Sequence, residues 1–406
     1  MAKICLNCGS PLEDDAKFCS KCGSAYGAEP VCAKCGHKLA SGTRFCPNCG
    51  ADQSAAQVGT GGDYIKKGFD TFTATINTMA GESGKAEIHL KELYSDVFKR
   101  HTQEEKDELF VCGTSKTTPK ESEMVAEWPR PWLYSRIFLM FSIVFAGLYV
   151  MVMNFGNLNG VPGAMFVGAL LVPLTVMMFF WEMNVPRNIS ILDVLSVFFV
   201  GGVFSLVVTL FLYSFFPSAG AGPLWGSTLV GLIEELGKVL VVAYYVKRNN
   251  TRYKLNGLLL GSCVGAGFAV FETAGYAFMS LINTNRLTAM MDTLFQRGVL
   301  AIGGHVVWAA ISGFGLIVAK GEEPLQTNHF FSAKFLKFLM LVSALHAVWD
   351  WNMPFITTLM QLNLKYAALI LIALGTVLVL LSAGLRQVSA IAQKAQAEER
   401  AAGSRL

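Results

Sequence analysis

Seven ionisable side chains stand inside long apolar stretches of this chain: Glu234, Glu235, Lys238, Glu272, His305, His346 and Asp350. A charge in a bilayer is costly, and it faces a bundle interior or a water-filled cavity. In LVGLIEELGKVLVV, Glu234 and Lys238 are four apart and meet on one helix face, while Glu235 points about 100° away. In GAGFAVFETAGYAF, Glu272 and Tyr276 are four apart, and in ALHAVWDW so are His346 and Asp350. GGHVVWAAISG contributes His305. Carboxylates and imidazoles gathered in a dry site are the groups that position water and move its protons, so hydrolysis is the chemistry this set suits.

Positioning them requires membrane helices. The chain has 406 residues, 53% hydrophobic and only 15% charged, against about a quarter charged in a soluble domain. The shortage is confined to residues 132–386; residues 1–131 have a soluble composition. Eight segments reach the roughly 20 apolar residues needed to span: 132–153, 161–181, 190–215, 223–246, 255–281, 297–319, 335–353 and 366–385. Lys247, Arg248, Arg252 and Lys254 follow the fourth segment, and Lys320, Lys334 and Lys337 the sixth, while the first and third loops hold no Lys or Arg. The positive-inside rule then places both termini in the cytoplasm, with Arg286 and Arg297 as the exceptions. In that topology the polar groups of four alternating helices fall within about one or two turns of the same depth, in the outer half of the bilayer. Gly261, Gly265, Ala266 and Gly267 permit close helix approach around them.

Eight of the ten cysteines precede residue 50. Cys5-x2-Cys8 and Cys19-x2-Cys22 form one set, and Cys32-x2-Cys35 and Cys46-x2-Cys49 the other; ten residues intervene within each set and the period is 27. Glycine follows the second Cys of each pair and permits a tight turn. Two CxxC pairs per set suit tetrahedral Zn²⁺ with no open position, so these metals are structural; His37 is a superfluous fifth donor. A disulfide framework is the alternative, and a cytosolic location argues against it. The pattern resembles tandem zinc ribbons. Domain boundaries read as ribbon 1 over 1–26, ribbon 2 over 27–50, a linker and juxtamembrane helical region over 51–131, the membrane domain over 132–386 and a cytoplasmic tail over 387–406. The +4 net charge is small and the ribbons are only slightly basic, which favours a cytosolic protein partner over nucleic acid. Cys263 reads as a small core residue.

Glu234-Glu235-x-x-Lys238, Phe271-Glu272-x-x-x-Tyr276, His305 and His346-x-x-Trp349-Asp350 resemble the PrsW family of intramembrane proteases, distant relatives of CAAX prenyl proteases and bacteriocin-processing proteins. The resemblance covers about 132–386. It departs from the wider superfamily, which has FxxxH where this chain has FExxxY and Asn where it has Asp350. It implies an all-α polytopic membrane protein of about eight transmembrane helices behind two small zinc ribbons, in a bacterial or archaeal cytoplasmic membrane. It implies an intramembrane endopeptidase acting on membrane-embedded or membrane-proximal polypeptides. By the same resemblance Glu234 or Glu235 activates water, Lys238 holds the other carboxylate, and His305 and His346 orient water or donate to the oxyanion. Asp350 fixes His346, Glu272 helps bind water, and Tyr276 donates a hydrogen bond. A zinc-dependent version would use Glu272, His305 and His346, although no HExxH spacing supports it, and metal-free chemistry is favoured. The competing readings are a membrane sensor or scaffold with ribbon adaptors and, ranked last for want of an inverted repeat, a transporter.

Overall fold

The computed structural model describes residues 3–4, 11–12, 32, 35, 37–39, 45–51, 61–125, 127–217 and 222–403. Two compact units emerge, residues 1–72 and 73–406. In the first, strands β1 (Lys3–Ile4) and β2 (Pro11–Leu12) pair antiparallel. Cys5, Cys8, Cys19 and Cys22 lie outside the described residues. Cys32, Cys35, Cys46 and Cys49 bring their sulfurs within 4.8 Å of one another. Cys32 Sγ and Cys49 Sγ are 3.6 Å apart, as are Cys35 Sγ and Cys46 Sγ. That is far longer than a disulfide bond of about 2.05 Å and close to the ~3.8 Å edge of a tetrahedron with ~2.3 Å Zn–S bonds. The second set is therefore a zinc cage.

Helix α1 (Gly61–Met79) leads into the second unit. Within the linker and juxtamembrane region 51–131, the charged stretch 86–110, expected to be helical, forms the short helices α2 (Glu92–Ser95) and α3 (Gln103–Phe110). Helix α3 starts at a capping box between Thr102 and Glu105. Eleven further helices follow: α4 (Leu133–Met153), α5 (Val161–Glu182), α6 (Ile191–Ser196), α7 (Gly202–Phe215), α8 (Pro223–Arg248), α9 (Lys254–Thr284), α10 (Leu287–Leu300), α11 (His305–Lys320), α12 (Thr327–Phe330), α13 (Ala333–Asp350) and α14 (Leu359–Gly403). A π-turn at Val197–Gly201 joins α6 to α7.

Among the described residues, six stretches are long and apolar enough to cross a membrane: 133–153, 158–182, 191–215, 254–284, 287–320 and 359–402. The other two expected spans, α8 and α13, are helices of 26 and 18 residues whose apolar runs are interrupted by the site's charges and flanking lysines. Two further differences are local. The sixth expected span is broken: α10 ends at Leu300, a 3-10 turn covers Ala301–Gly303, and α11 begins at His305, because consecutive Gly303 and Gly304 interrupt the helix. The expected tail is helical as far as Gly403, a continuation of α14.

Helix α9 is the hub, with 83% of its apolar stretch buried, whereas α4 is peripheral with 6%. Its glycines set the distances. A Cβ on Gly261 or Gly265 would collide with the backbone of Ala309 or His305 on α11, and one on Gly267 would collide with Phe198 and Gly202 beside α7. On α8, a Cβ on Gly231 would strike the backbone of Ser343 and Ala347 on α13. These are the small-residue contacts by which membrane helices approach closely. They fix α8, α9, α11 and α13 around one level. At the opposite end, Glu182 accepts hydrogen bonds from the backbone N–H groups of Trp132, Leu133 and Tyr134 (2.7, 2.8 and 2.8 Å), satisfying the first turn of α4. Lys254 pairs with Glu82 at 2.6 Å and docks residues 80–82 on the start of α9.

Candidate active site

The backbone approach of α8 to α13 at Gly231 places His346 one turn from Glu234 and Glu235. The approach of α9 to α11 at Gly265 places His305 at the first residue of α11, and Glu272 lies about two turns further along the same face of α9. Four helices thus deliver their ionisable groups to one cavity of about 680 Å³, lined among others by Glu234, Glu272, His305, Trp308, His346 and Asp350.

The groups form a chain of alternating charge. Lys238 Nζ donates to Glu235 Oε1 at 2.7 Å and contacts His305 Nδ1 at 2.8 Å; Lys238 and Glu235 are both fully buried. An ammonium has donors only, so His305 Nδ1 is the acceptor and Nε2 carries the proton. His305 Nε2 lies 2.8 Å from Glu272 Oε2, and Glu272 is also ion-paired with Arg297. His346 Nδ1 donates to Glu235 Oε1 at 2.9 Å, because a carboxylate only accepts. That leaves His346 Nε2 facing Asp350 Oδ2 at 3.3 Å and Glu234 Oε2 at 3.6 Å. Trp308 lies against His346 with ring centroids 4.6 Å apart.

The pairing expected from spacing is exchanged. Lys238 takes Glu235, three residues away, not Glu234. Glu234 turns to the cavity, where Oε1 accepts from the Tyr213 hydroxyl at 3.1 Å and the buried Oε2 has no hydrogen-bond partner among the described residues. The helix rule allows either spacing, and the His305 and His346 rings beside Glu235 decide between them. His346 meets a carboxylate at each ring nitrogen, Glu235 at Nδ1 and Asp350 at Nε2. Tyr276 stands 56% exposed with its ring under the Arg297 guanidinium, 4.5 Å away. Tyr213 and Arg297 were not singled out as site residues by sequence reasoning. Tyr213 is on a helix without charges; Arg297 registers only as an exception to the charge rule.

The donors within reach of one cation are Glu234, His305 and His346, all within 4.8 Å, and not the Glu272 set expected from the sequence. Glu272 is instead occupied by Arg297 and His305.

Residues 189–381 match the PrsW family intramembrane metalloprotease model, and residues 5–50 match the Double zinc ribbon model. The chain is 22% identical to Protease PrsW of Halalkalibacterium halodurans over 213 residues, 51% of this chain and 94% of that protein. No solved structure matches. With two carboxylate-bearing and two histidine-bearing helices meeting inside the matched segment, the membrane domain of this chain is similar to the PrsW family of intramembrane proteases, and it follows a segment that matches a double zinc ribbon.

Proposed function

We propose that this chain hydrolyses peptide bonds of membrane-embedded or membrane-proximal polypeptides, with Glu234 as the group that activates water. The observation that carries this reading is the buried Glu234 Oε2, turned into the cavity without a hydrogen-bond partner among the described residues. Glu234 takes a proton from water as the water attacks the scissile carbonyl. His346 Nε2, 3.6 Å from that oxygen, accepts the proton from Glu234 and passes it to the leaving amine as the C–N bond breaks. Glu235 is the orienting group, since its Oε1 fixes His346 through Nδ1 while Lys238 offsets its charge. His305 lines the cavity with its Nδ1 held by Lys238 and its Nε2–H given to Glu272, so it stabilises a developing oxyanion by turning that N–H from Glu272 to the oxyanion. Both termini face the cytoplasm, and the ribbons recruit a cytosolic protein partner.

A second reading rests on charge. Glu234, Glu235, Glu272 and Asp350 are four carboxylates against three cations, Lys238, Arg297 and Lys365, which lines the cavity with Asp350, so the one remaining negative charge calls for a proton on His346 or a divalent cation. Glu234 and His346 fit such a cation, because a carboxylate on Nδ1 presents Nε2 as the ligand. His305 fits only if the Lys238 contact gives up Nδ1, since the ligating nitrogen needs its lone pair. A bound metal would supply Lewis-acid polarisation of carbonyl and water.

One experiment separates the readings. A variant lacking residues 1–50, and hence the ribbon zincs, is assayed with and without a strong chelator. Retained cleavage in chelator supports the glutamate mechanism; loss restored by added metal supports the cation. Glu234→Gln lowers turnover by about 10²- to 10⁴-fold, the range for removing a general base, while the protein remains folded. Undiminished cleavage by Glu234→Gln would remove Glu234 from the mechanism.

A further inference from the structure

Helix α10 is flanked by open space on two sides. Gln296, Arg297 and Leu300 line the 680 Å³ cavity that holds the histidines. Leu294, Phe295, Gly298 and Val299 line a second, apolar cavity of about 580 Å³ against α4 and α5. Met290, Met291 and Leu294 are buried and Phe295 meets the Phe145 and Tyr149 rings of α4 at 5.5 and 5.8 Å, so α10 is held at these contacts while the two voids leave the rest of its flanks without the close packing that immobilises an element. Both ends of α10 are breaks. At one end Asn285 sits in the left-handed region at φ +52°, and at the other the 3-10 turn and Gly304 separate α10 from α11.

One side chain fastens this helix to the site. The Arg297 guanidinium pairs with Glu272, donates to Thr273 Oγ1 at 3.1 Å and lies over the Tyr276 ring, so it grips two successive turns of α9. Glu272 in turn meets His305. The position of α10 and the charge beside His305 are therefore coupled through one ion pair.

We propose that Arg297 is a positioning residue and that α10, which it pins to α9, is the wall that moves to admit a membrane-embedded substrate segment. Release of the pair lets α10 move into the apolar cavity against α4 and α5, opening the catalytic cavity sideways to the bilayer. Re-formation of the pair returns Glu272 to His305 and closes the site around the bound segment. The direction follows from the volumes: the catalytic side must stay free for substrate, and the apolar side accepts the apolar face of α10 without burying a charge. Arg297 itself faces away from that side, so its charge remains within the catalytic cavity. The inference rests on the hydrolytic reading of the cavity, and it has an activity-independent test.

Spin labels at Asp292→Cys on α10 and Met151→Cys on α4 report the separation of the two helices in lipid nanodiscs by pulsed electron resonance. Arg297→Gln adds a population with the labels closer together. Adding Gly298→Trp suppresses it, because a Cβ on Gly298 meets nothing within 4 Å and the indole fills the apolar cavity. An unchanged distance distribution in Arg297→Gln overturns the proposal whether or not the protein is a protease. In the cleavage arm, Gly298→Trp alone is given a pool of reconstituted single-span peptides and a pool of short water-soluble peptides. Cleavage of the single-span pool falls about tenfold and that of the soluble pool is unchanged, a substrate-dependent split that a loss of chemistry does not produce. Equal loss of both, or loss of neither, overturns the moving-wall assignment. If wild type cleaves neither pool, the hydrolytic reading fails and the distance measurement alone decides the motion of α10. Should Gly298→Trp not fold, Gly298→Leu takes its place in both arms.

Discussion

Replacing Lys238 with Met tests the electrostatic logic of the site. Glu235 is fully buried; its Oε1 holds Lys238 at 2.7 Å and His346 at 2.9 Å, and its Oε2 has no hydrogen-bond partner among the described residues. Met keeps the length of the side chain and removes the charge. What remains is a carboxylate in a dry interior with one imidazole N–H. Breaking a buried ion pair from one side costs about 3–5 kcal/mol. The lost cation–π contact with Phe268, 4.4 Å from Nζ to the ring centroid, adds roughly 0.5–2 kcal/mol. Together these come to about 3.5–7 kcal/mol, an expected loss of about 2.5 to 5 orders of magnitude in the folding equilibrium at ~1.4 kcal/mol per tenfold. Adding Glu235→Gln removes the stranded charge while the Gln carbonyl still accepts from His346 Nδ1–H. The double variant should regain most of the loss, since exchanging both partners of a buried pair for neutral groups costs far less than removing one. Unfolding of the purified protein by rising denaturant-detergent fraction in mixed micelles, followed by tryptophan fluorescence, reads both steps. A Lys238→Met variant within about 1 kcal/mol of wild type refutes the pairing. So does a double variant whose loss is the sum of the two single losses.

Two further outcomes concern the rest of the chain. Segment 1–50 should bind two Zn²⁺ and lose its fold on chelation while the membrane domain keeps its own; one Zn²⁺ per segment, or disulfides in a reducing preparation, would contradict the two-cage reading. An impermeant thiol reagent applied to intact cells should label a cysteine placed at Asn285 and spare one at Asn250, because the basic residues beside Asn250 belong to the cytoplasmic side; the reverse pattern would invert the topology.

Much of this protein was legible in order along the chain. Apolar length identified six of the helices that can span a membrane, and the CxxC period located the ribbons, since both signals are local in sequence. The four motifs at Glu234, Glu272, His305 and His346 led to the family, because chemistry placed in a bilayer is conspicuous against apolar neighbours. Within the site the local signal ran out. The four-residue spacing of Glu234 and Lys238 is a sound helix rule, yet Lys238 chose Glu235 because His305 and His346 arrive beside it from α11 and α13. Arg297 read as an exception to the charge rule until the left-handed turn at Asn285 folded α10 back against α9. Tyr213 gave no sign at all, for a tyrosine on an apolar helix becomes a carboxylate's donor only when α7 packs on α8. Sequence alone determined which residue types would be buried in the membrane, since hydrophobicity and helical period act over neighbouring residues. Which carboxylate faces the cavity and which is held by the lysine was decided only by tertiary structure, because partners in a low-dielectric interior are set by proximity across helices, where an ångström changes the energy by kilocalories.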